Sequence, residues 1–434
     1  MTTTVSGGLA VVYDKGAVSA AEIGRGLAGL GRVTFLVAAS DHTARLGQVL
    51  ARLGDVVRLT GDPDADAAAV RALEPDAITT YSEPMLRTTA RLAEATGLPF
   101  HEAATALLLT DKARQRATLR EAGADDVRSR PLTGPVDWPE AIAEVGYPAI
   151  VKPVCGEGSR DTHTVADEDE ARAVLSRLMD GRVASGGPGF VVEELLTGRP
   201  GQPFGLGDYV SVESAVGPDG VTHLAVTGKF RLVPPFREVG QFWPAALPDD
   251  EHEEVLRLTT RALRALGVTT GLTHTEIKLT ARGPRVIEVN GRLGGHVNEL
   301  ARRAAGVDLV RVGGLLALGK PVELDPLRAD RVYFQYHNLA PTVPCELAGV
   351  QGAEEVRRRP GVDGYRAFSR PGDRLPGGVM TQEMDILIGA CDVHDTLLEV
   401  VDGALDALTY TFRFPGGTLR VPAADLRAEV RPPR

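Results

Sequence analysis

Residues 272–296 of this 434-residue chain read Leu272-Thr-His-Thr-Glu-Ile-Lys-Leu279, Thr-Ala-Arg-Gly-Pro-Arg285, Val286-Ile-Glu-Val-Asn290 and Gly-Arg-Leu-Gly-Gly-His296. Apolar and polar residues alternate on either side of an Arg-Gly-Pro segment, and this pattern predicts two strands joined by a tight turn. In the second strand we expect Ile287 and Val289 to face the core. The residues of the second strand that we expect to face away from the core are Val286, Glu288 and Asn290. In the first strand, one predicted face consists of Thr273, Thr275, Ile277 and Leu279, and the opposite face consists of His274, Glu276 and Lys278.

Two acidic residues face each other if this hairpin folds about Arg282. Glu276 then lies opposite Glu288, with Cβ atoms roughly 5 Å apart, a distance at which like charges repel. A divalent cation such as Mg²⁺ would offset the repulsion, because it prefers oxygen ligands. Asn290, on the same face as Glu288, offers an amide oxygen. Considered alone, the segment is also compatible with a simple hairpin that has one hydrated, charged face.

Length and composition are those of an ordinary globular protein with two or three domains. Hydrophobic residues make up 43% of the chain and charged residues 24%, which is typical of this class. The net charge of −10 argues against a general nucleic-acid binder, which needs a basic surface. Cys155, Cys345 and Cys391 lack metal-ligand spacing, so we expect a reducing, cytoplasmic location. We find no secretion signal and no apolar run of roughly 18 residues, so a membrane is not an expected partner.

Residues 1–105 alternate between apolar strand segments and amphipathic helical segments. The predicted strands are Leu9–Tyr13, Val33–Ala38, Asp55–Leu59 and Ala77–Thr80, and the predicted helices are Ala20–Leu30, Thr43–Leu53, Asp64–Leu73 and Met85–Thr96. This order predicts an open parallel α/β sheet, in which ligands bind beyond the carboxyl ends of strands. Ser82 and Glu83 follow the fourth strand and are therefore candidates for substrate contact. Helix capping by Ser82 before Pro84 is the alternative.

Two lysines in the middle of the chain occupy positions that favour an anionic partner. Lys112 lies in the first turn of a helix predicted from Thr110 to Gly123, where the helix dipole favours acids, although Asp111 would offset this cost. Lys152 lies near the end of a strand and precedes Cys155-Gly-Glu-Gly-Ser-Arg160. A glycine-containing turn can bring backbone N–H groups onto phosphate oxygens. The spacing is not that of a Walker loop, and a hairpin loop without a ligand is the alternative.

The remaining segments carry fewer signals. Residues 201–207 and 234–244 are rich in glycine and proline and are predicted to be loops. From about Lys320 the pattern changes to that of a small α+β unit, in which nothing indicates chemistry. His337 and His394 are expected to be structural or surface residues. The predicted elements there are strands at Arg331–Tyr336, Gln382–Ile388 and Thr409–Phe412 and helices at Ala353–Arg358 and Asp395–Leu408.

Five of these pieces, taken in order, resemble the ATP-grasp superfamily. They are a first lysine in Asp111-Lys112, a second in Val151-Lys152-Pro153 before a glycine loop, a hinge in Val192-Glu-Glu-Leu-Leu-Thr-Gly198, an acid that opens a strand in Asp208-Tyr-Val-Ser-Val, and the acidic pair of His274-Thr-Glu276 and Glu288-Val-Asn290-Gly-Arg292. Each motif is weak alone, but their order and spacing are specific. The resemblance is strong over roughly residues 1–320. Residues beyond it resemble, more weakly, the C-terminal domain of the L-amino acid ligase branch.

The resemblance implies a role for each candidate residue. ATP would be held by Lys112, Lys152, Ser159, Glu193, Glu194, Leu196 and Asp208. Two Mg²⁺ ions, for which Mn²⁺ can substitute, would be held by Glu276, Glu288 and Asn290. The catalytic residues would be Arg292, Lys229 and His274, and the substrate would contact Ser82, Glu83, Gly294, Gly295 and His296. Two positions depart from the family pattern. Asp208 stands where glutamate is usual, and Asp161 stands where a glycine is common.

The implied fold is an ATP-grasp α/β fold, with an N-terminal open parallel domain at 1–105, a central nucleotide-binding domain at 106–320 whose small lid covers about 125–200, and a C-terminal α+β domain at 321–434. The implied activity is a carboxylate–amine ligase that joins two small molecules, amino acids above all, through an acyl phosphate, with release of ADP and phosphate. A homodimer is possible. The alternatives are a biotin-carboxylase-like enzyme, against which Leu293-Gly-Gly-His296 argues, a purine-pathway ATP-grasp enzyme and a non-catalytic nucleotide-binding module.

Overall fold

The computed structural model describes residues 7–182, 189–202, 205–322 and 325–433. Its N-terminal part consists of strands β1 Leu9–Tyr13, β2 Val33–Val37, β3 Asp55–Arg58 and β4 Ala77–Thr79 and helices α1 Ala20–Gly26, α2 Asp41–Leu53, α3 Pro63–Leu73 and α4 Leu86–Thr96. The strands are parallel, in the order β3-β2-β1-β4. The predicted open parallel sheet is thus confirmed. Helix α2 begins at Asp41, two residues before the predicted start at Thr43, because the Ser40 hydroxyl caps it by accepting a hydrogen bond from the Thr43 backbone N–H.

A small antiparallel sheet follows. Its elements are α5 Ala103–Leu108, α6 Lys112–Glu121, β5 Ser129–Leu132, α7 Trp138–Val145, β6 Ala149–Pro153, β7 His163–Val165, α8 Glu168–Arg182 and β8 Phe190–Glu194. The strand order is β5-β8-β6-β7. Trp138 and Phe190 are buried in the core that these elements share. The sheet carries Lys152 at the end of β6 and Glu193 at the end of β8.

A larger sheet runs through the centre of the molecule and on toward its C-terminal part. The elements from residue 206 to 336 are β9 Leu206–Gly217, β10 Gly220–Phe230, β11 Gly240–Trp243, α9 Asp249–Ala265, β12 Gly271–Thr280, β13 Gly283–Asn290, α10 Val297–Ala305, α11 Leu309–Ala317 and β14 Val332–Tyr336. Helix α9 buries Val255, Leu258 and Leu263 against the strands. The spacing of these apolar residues places them on one side of the helix, and this side packs against the sheet.

The C-terminal elements divide between two sheets. They are β15 Cys345–Gln351, α12 Ala353–Val356, β16 Val362–Ala367, β17 Arg374–Leu375, β18 Asp385–Cys391, α13 Leu397–Leu405, β19 Thr409–Phe414 and β20 Gly417–Pro422. The large sheet has the order β13-β12-β9-β10-β11-β14-β18-β16, and the other has the order β17-β15-β19-β20. The large sheet therefore continues across residue 320, and the three-domain division with its boundary there stays a prediction. None of the described helices is both long and apolar enough to cross a membrane.

The hairpin of β12 and β13 has the predicted register at its chemically important end. Glu276 pairs directly with Glu288, and His274 pairs with Asn290. A bulge follows, because the next pair is Ile277 with Val286 and the intervening Ile287 has no partner. The prediction that Ile287 faces the core and Val286 faces away was therefore wrong. Val286 is buried with Ile277 and Val289, whereas Ile287 is only partly buried.

Two other predictions of local structure were wrong. Residues 240–243 lie in the loop predicted at 234–244, yet they form β11, which pairs with β10 and β14 in the large sheet. Prolines surround this strand but none lies within it, so its backbone N–H groups remain available to the ladder. Strand β9 begins at Leu206, inside the other predicted loop. The part of that loop at 203–204 lies outside the described residues.

Candidate active site

The facing acids of the hairpin meet two cations. Lys112 reaches Glu288, with Nζ 2.7 Å from Oε1, and also donates to the carbonyl oxygen of Gly156 at 2.7 Å. His274 lies 3.5 Å from Glu276, measured from Nε2 to Oε1. The two carboxylates are thus each beside a positive group in this arrangement, which offsets their mutual repulsion. The lysine from the first turn of α6 therefore lies at the acidic face of the hairpin.

His274 is held between two acids. Its Nδ1 atom donates to Glu213, a residue of β9, and its Nε2 atom faces Glu276. Burial alone would lower the pKa of this imidazole, but the charge of Glu213 and the hydrogen bonds outweigh it and raise the pKa to about 9. Burial favours the neutral form of Glu276, yet the His274 hydrogen bond and nearby cations lower its pKa to about 2. A protonated His274 is a fixed cation at neutral pH and has no free lone pair for a substrate proton.

Arg292 connects the hairpin to the N-terminal sheet. Its Nε atom lies 3.2 Å from Glu83 Oε2, and Nη2 lies 3.9 Å from Glu157 in the glycine loop. Nη2 also reaches Asn290 Oδ1 at 3.4 Å. Glu83 is buried, and this burial raises its pKa to about 7, although Arg292 opposes the shift. Glu83 thus lies within the same cluster of charges as the acidic face of the hairpin.

We expect Glu83→Gln to change the pH dependence of stability. Because the folded-state pKa is raised, the native protein holds a proton that the unfolded chain loses above about pH 4.5, so wild-type stability falls as pH rises toward 7. Between those values the wild type should lose on the order of 3 kcal/mol of unfolding free energy relative to Glu83→Gln. Urea unfolding at several pH values measures this difference. Exposed Glu102→Gln is the control, and equal pH profiles for wild type and Glu83→Gln would contradict the expectation.

Lys152 and Glu193 form a buried ion pair on the small sheet. Lys152 Nζ lies 2.9 Å from Glu193 Oε2, and Arg116 Nη2 lies 3.0 Å from the same oxygen. Burial, reinforced by Arg116 and Lys112, lowers the pKa of Lys152 although Glu193 opposes the shift. The other oxygen of Glu193, Oε1, is buried and accepts no hydrogen bond from any described residue. This oxygen is an unsatisfied acceptor beside two cations.

Three other candidates for nucleotide binding lie at the end of β8, in the connector that follows it and in β9. Glu194 accepts two hydrogen bonds from Arg128, at 2.9 and 2.7 Å, so its side chain is already paired. Leu196 is partly buried in the connector after β8. Asp208 accepts a hydrogen bond from Lys278. An added Cβ at Gly198 would overlap the Asp208 carboxylate, so this glycine permits the close approach of the connector to β9.

Ser159 and Ser82 use their hydroxyl groups within the protein. Ser159 donates to the carbonyl oxygen of Phe236 at 2.7 Å and has a left-handed backbone, with φ of 54°. Asp161, where the family pattern has glycine, also adopts a positive φ, of 52°. Ser82 is buried and donates to the carbonyl oxygen of Lys15 at 2.6 Å, and it makes no side-chain cap. The structure thus brings Ser82 near the site but directs its hydroxyl toward another loop.

Lys229 belongs to a chain of amide hydrogen bonds beside the hairpin. The lysine is buried in β10, and its Nζ atom donates to Gln241 Oε1 at 3.0 Å. The amide of Gln241 donates in turn to the carbonyl oxygen of Gly295 at 2.9 Å and to Gln335 Oε1 at 3.0 Å. This chain ties β10, β11 and β14 to the loop after β13. It positions the Gly294-Gly295 segment next to the charged cluster.

The two glycines of that loop have different surroundings. An added Cβ at Gly294 would lie 2.4 Å from His274 Nδ1 and 2.8 Å from Val297 Cγ2, whereas at Gly295 it would meet nothing within 4 Å. The packing around position 294 therefore leaves no room for a side chain and requires a glycine there. Gly295 borders open space, which leaves room for a ligand.

We expect Gly294→Ala to destabilise the protein by about 1–3 kcal/mol, because the new methyl group forces His274 from between its acids. Activity should fall with it. Gly295→Ala is the matched control, since it makes the same change one residue away without a clash and should leave the melting temperature unchanged. Thermal unfolding of both variants tests this, and equal melting temperatures would contradict the explanation of Gly294.

His296 is directed away from the facing acids. Its Nε2 atom lies 3.0 Å from Glu383 Oε2, and its ring lies beside that of His337. The sequence analysis also missed several residues that hold the candidate side chains in place. Most of them approach from strands or helices that are distant in sequence, so no local motif marks them; they are Arg116, Glu157, Glu213, Gln241 and Glu383.

Comparisons with known proteins show which sequences this chain is similar to. The model of an ATP-grasp domain family matches residues 145–299. An uncharacterised protein of Sinorhizobium fredii is 29% identical over 297 residues, which are 68% of this chain and 59% of that protein. The alanine–anticapsin ligase of Bacillus subtilis is 27% identical over 355 residues, 79% of this chain and 68% of that protein. The chain thus spans about three fifths to two thirds of the length of these relatives.

A structural comparison covers almost the whole chain. The crystal structure of an L-amino acid ligase from Bacillus licheniformis superposes with a TM-score of 0.74 at 23% identity, covering 94% of this chain and 99% of that one. A likeness at this identity shows a common fold, including the parallel N-terminal sheet and the antiparallel sheets that follow. Residues 145–299 thus match the ATP-grasp domain family, and the chain as a whole is similar in sequence to an alanine–anticapsin ligase and in fold to an L-amino acid ligase.

Proposed function

We propose that this chain is an ATP-dependent ligase that joins the carboxylate of one amino acid to the amine of another through an acyl phosphate. The observation that carries the proposal is the cluster at the hairpin, where two facing carboxylates, an amide, a lysine and an arginine converge. Such a cluster suits the transfer of a phosphoryl group, which needs positioning and charge neutralisation more than a side-chain base.

The residues present fit the metal and nucleotide that this reaction requires. Glu276, Glu288 and Asn290 present carboxylate and amide oxygens on one face, which is the donor set that Mg²⁺ prefers. We propose that they hold two such ions, with Mn²⁺ as a substitute. When bound, the ions would neutralise charge on the phosphate oxygens.

The nucleotide would lie between the small sheet and the hairpin. Lys112 and Lys152 are the proposed phosphate contacts. The unsatisfied Oε1 atom of Glu193 is an acceptor suited to an exocyclic amine such as that of adenine. Further proposed contacts come from the Glu194 and Leu196 backbone, from Asp208 at the ribose, and from Ser159 in the glycine loop.

The proposed reaction has two balanced steps. A carboxylate oxygen of the first substrate attacks the γ-phosphorus of ATP, and the bond from that phosphorus to the ADP oxygen breaks. The amine of the second substrate then attacks the acyl carbon, and the bond from this carbon to the phosphate oxygen breaks. The amine loses a proton to solvent or to the departing phosphate. Both steps develop negative charge on oxygen, which fixed cations stabilise in a site of low dielectric.

Three side chains of this chain are proposed to provide that charge. Arg292 would face the transferred phosphoryl group and the tetrahedral intermediate. Lys229 would add a buried positive charge from β10. His274, charged between Glu213 and Glu276, would orient the acidic face rather than act as the base. Glu83, Ser82 and the Gly294–His296 segment would border the substrates.

A product-release screen tests this proposal. The purified chain is incubated with ATP, Mg²⁺ and pairs of amino acids, and ADP and phosphate are measured together with the mass of any amide product. We expect release only when a carboxylate–amine pair is present, with one amide formed per ADP. Release that requires bicarbonate or a purine precursor instead would replace the amino acid ligase by one of the other ATP-grasp activities.

A further inference from the structure

A second group of ligand-type side chains lies just beyond Gly295. The side-chain ligand atoms of His296, His337 and Glu383 all lie within 4.8 Å of one another. His296 Nε2 is 3.0 Å from Glu383 Oε2, and His337 Nε2 is 3.7 Å from Glu383 Oε1. The three residues come from three separate segments: the loop after β13, the loop after β14 and the segment before β18. Tertiary folding alone brings them together, which explains why no motif in the sequence marked them.

The orientation of His337 is fixed by the backbone. Its Nδ1 atom lies 3.0 Å from the carbonyl oxygen of Asp385, and a carbonyl oxygen only accepts hydrogen bonds, so Nδ1 carries the proton. In the neutral ring, Nε2 then presents its lone pair to Glu383. At 3.7 Å the two atoms are beyond hydrogen-bond distance. A lone pair that faces a carboxylate oxygen in a residue only 5% exposed is unfavourable unless a cation lies between them.

The surroundings of the group resemble those of a metal centre. An imidazole that donates its second N–H to a backbone carbonyl is the usual outer arrangement around a histidine ligand. The side chain of Asp385 is itself held by Tyr365, Tyr410 and Asn338, so the carbonyl that orients His337 belongs to a fixed part of the core. Phe368 stacks on both imidazoles, with ring centroids 6.0 and 6.4 Å away, and covers one side of the group.

We propose that His296, His337 and Glu383 bind a divalent transition-metal ion through two imidazole nitrogens and one carboxylate oxygen. Zinc bonds of about 2.0–2.2 Å in tetrahedral geometry place neighbouring ligand atoms about 3.3 Å apart. His296 Nε2 lies 3.0 Å from one oxygen of Glu383, His337 Nε2 lies 3.7 Å from the other, and all the ligand atoms lie within 4.8 Å of one another, so modest side-chain rotations would bring both nitrogens to this spacing around one ion. Mixed nitrogen and oxygen ligands favour zinc or a neighbouring transition metal, whereas the oxygen-only group at Glu276 and Glu288 favours Mg²⁺.

The ion would link the substrate-side loop of the hairpin to the C-terminal strands. The same loop is already tied to β14, because Gln335 donates to the carbonyl oxygen of His296 at 3.0 Å. Three protein ligands leave a coordination position for water or for a substrate group. This proposal does not depend on the ligase activity, since ion binding is measured without turnover.

The test uses the full chain after treatment with a chelator, in excess Mg²⁺ so that oxygen-only sites are occupied. Calorimetric titration with Zn²⁺ should show one tight equivalent, and Co²⁺ should give the visible absorption bands of a histidine-ligated ion. His337→Gln should weaken Zn²⁺ binding by roughly 100-fold or more. The loss of a residue that only orients a metal ligand lowers metal affinity by about 10–100-fold, and the loss of the ligand itself should lower it at least as much. His394→Gln is the control, since that histidine bonds to the carbonyl oxygen of Pro244 outside the group.

Glu383→Gln provides a second variant should His337→Gln fail to fold, because Glu383 is partly exposed. It should also lose tight Zn²⁺ binding while its melting temperature without Zn²⁺ stays near that of the wild type. The proposal is overturned by a wild type that binds no Zn²⁺ more tightly than these variants do. It is equally overturned if His394→Gln loses the binding to the same extent.

Discussion

Glu288→Gln is expected to reduce ATP turnover by roughly 10³-fold or more while the chain stays folded. The substitution removes one of the two facing carboxylates and with it the charge that Lys112 contacts at 2.7 Å. The shape of the side chain is retained and the repulsion from Glu276 disappears, so the hairpin should keep its structure. The measurement is ADP release with an active amino acid pair across a range of Mg²⁺ concentrations, together with circular dichroism of the variant.

Glu254→Gln is the matched control for this experiment. It makes the same chemical change at an exposed position of α9, close to Gly283 at the turn of the same hairpin and away from its acidic face. Its turnover should equal that of the wild type. Unchanged activity in Glu288→Gln would remove the hairpin from the mechanism, because no other described pair of facing carboxylates lies beside Lys112 and Arg292.

Arg292→Lys is expected to lower kcat by about 10²-fold with a much smaller effect on the KM for ATP. The positive charge is kept, but lysine lacks the planar fork with which Arg292 contacts Glu83, Asn290 and the carbonyl oxygen of Leu293 together. A loss confined to kcat indicates contacts made in the transition state rather than in ATP binding.

Arg302→Lys on α10 is the control for that substitution. This arginine makes one long ion pair, 3.6 Å from Asp308, and lies outside the charged cluster. Its kinetics should match those of the wild type. If Arg292→Lys raises the KM for ATP and leaves kcat intact, Arg292 is a nucleotide contact and not a group that acts on the transferred phosphoryl.

The sequence predicted the acidic face of the hairpin well because the relevant information is local. Alternation and one turn were enough to place Glu276 opposite Glu288 and His274 opposite Asn290. The bulge at Ile287 was missed because alternation assumes one residue per step on each strand. The sequence holds no glycine or proline at that position to signal the extra residue.

Contacts that form only on tertiary packing could not be predicted from the sequence. Glu213 on β9 orients His274, and Gln241 on β11 holds Lys229, but each meets its partner only once the large sheet is assembled. The prolines and the glycine around strand β11 predict a loop, because these residues are typical of turns. The pairing of β11 with β14 could not be deduced, since that partner lies about ninety residues later in the chain.

In the proposed reaction, a substrate carboxylate is activated as an acyl phosphate and then captured by an amine. The most direct measurement uses an amino acid whose carboxylate carries ¹⁸O in both positions, with a partner amine chosen from the screen. We expect one ¹⁸O atom in each phosphate released and one in each amide formed, and we expect Glu288→Gln to give neither product. Label that appears in AMP, or phosphate free of ¹⁸O while amide accumulates, would contradict it.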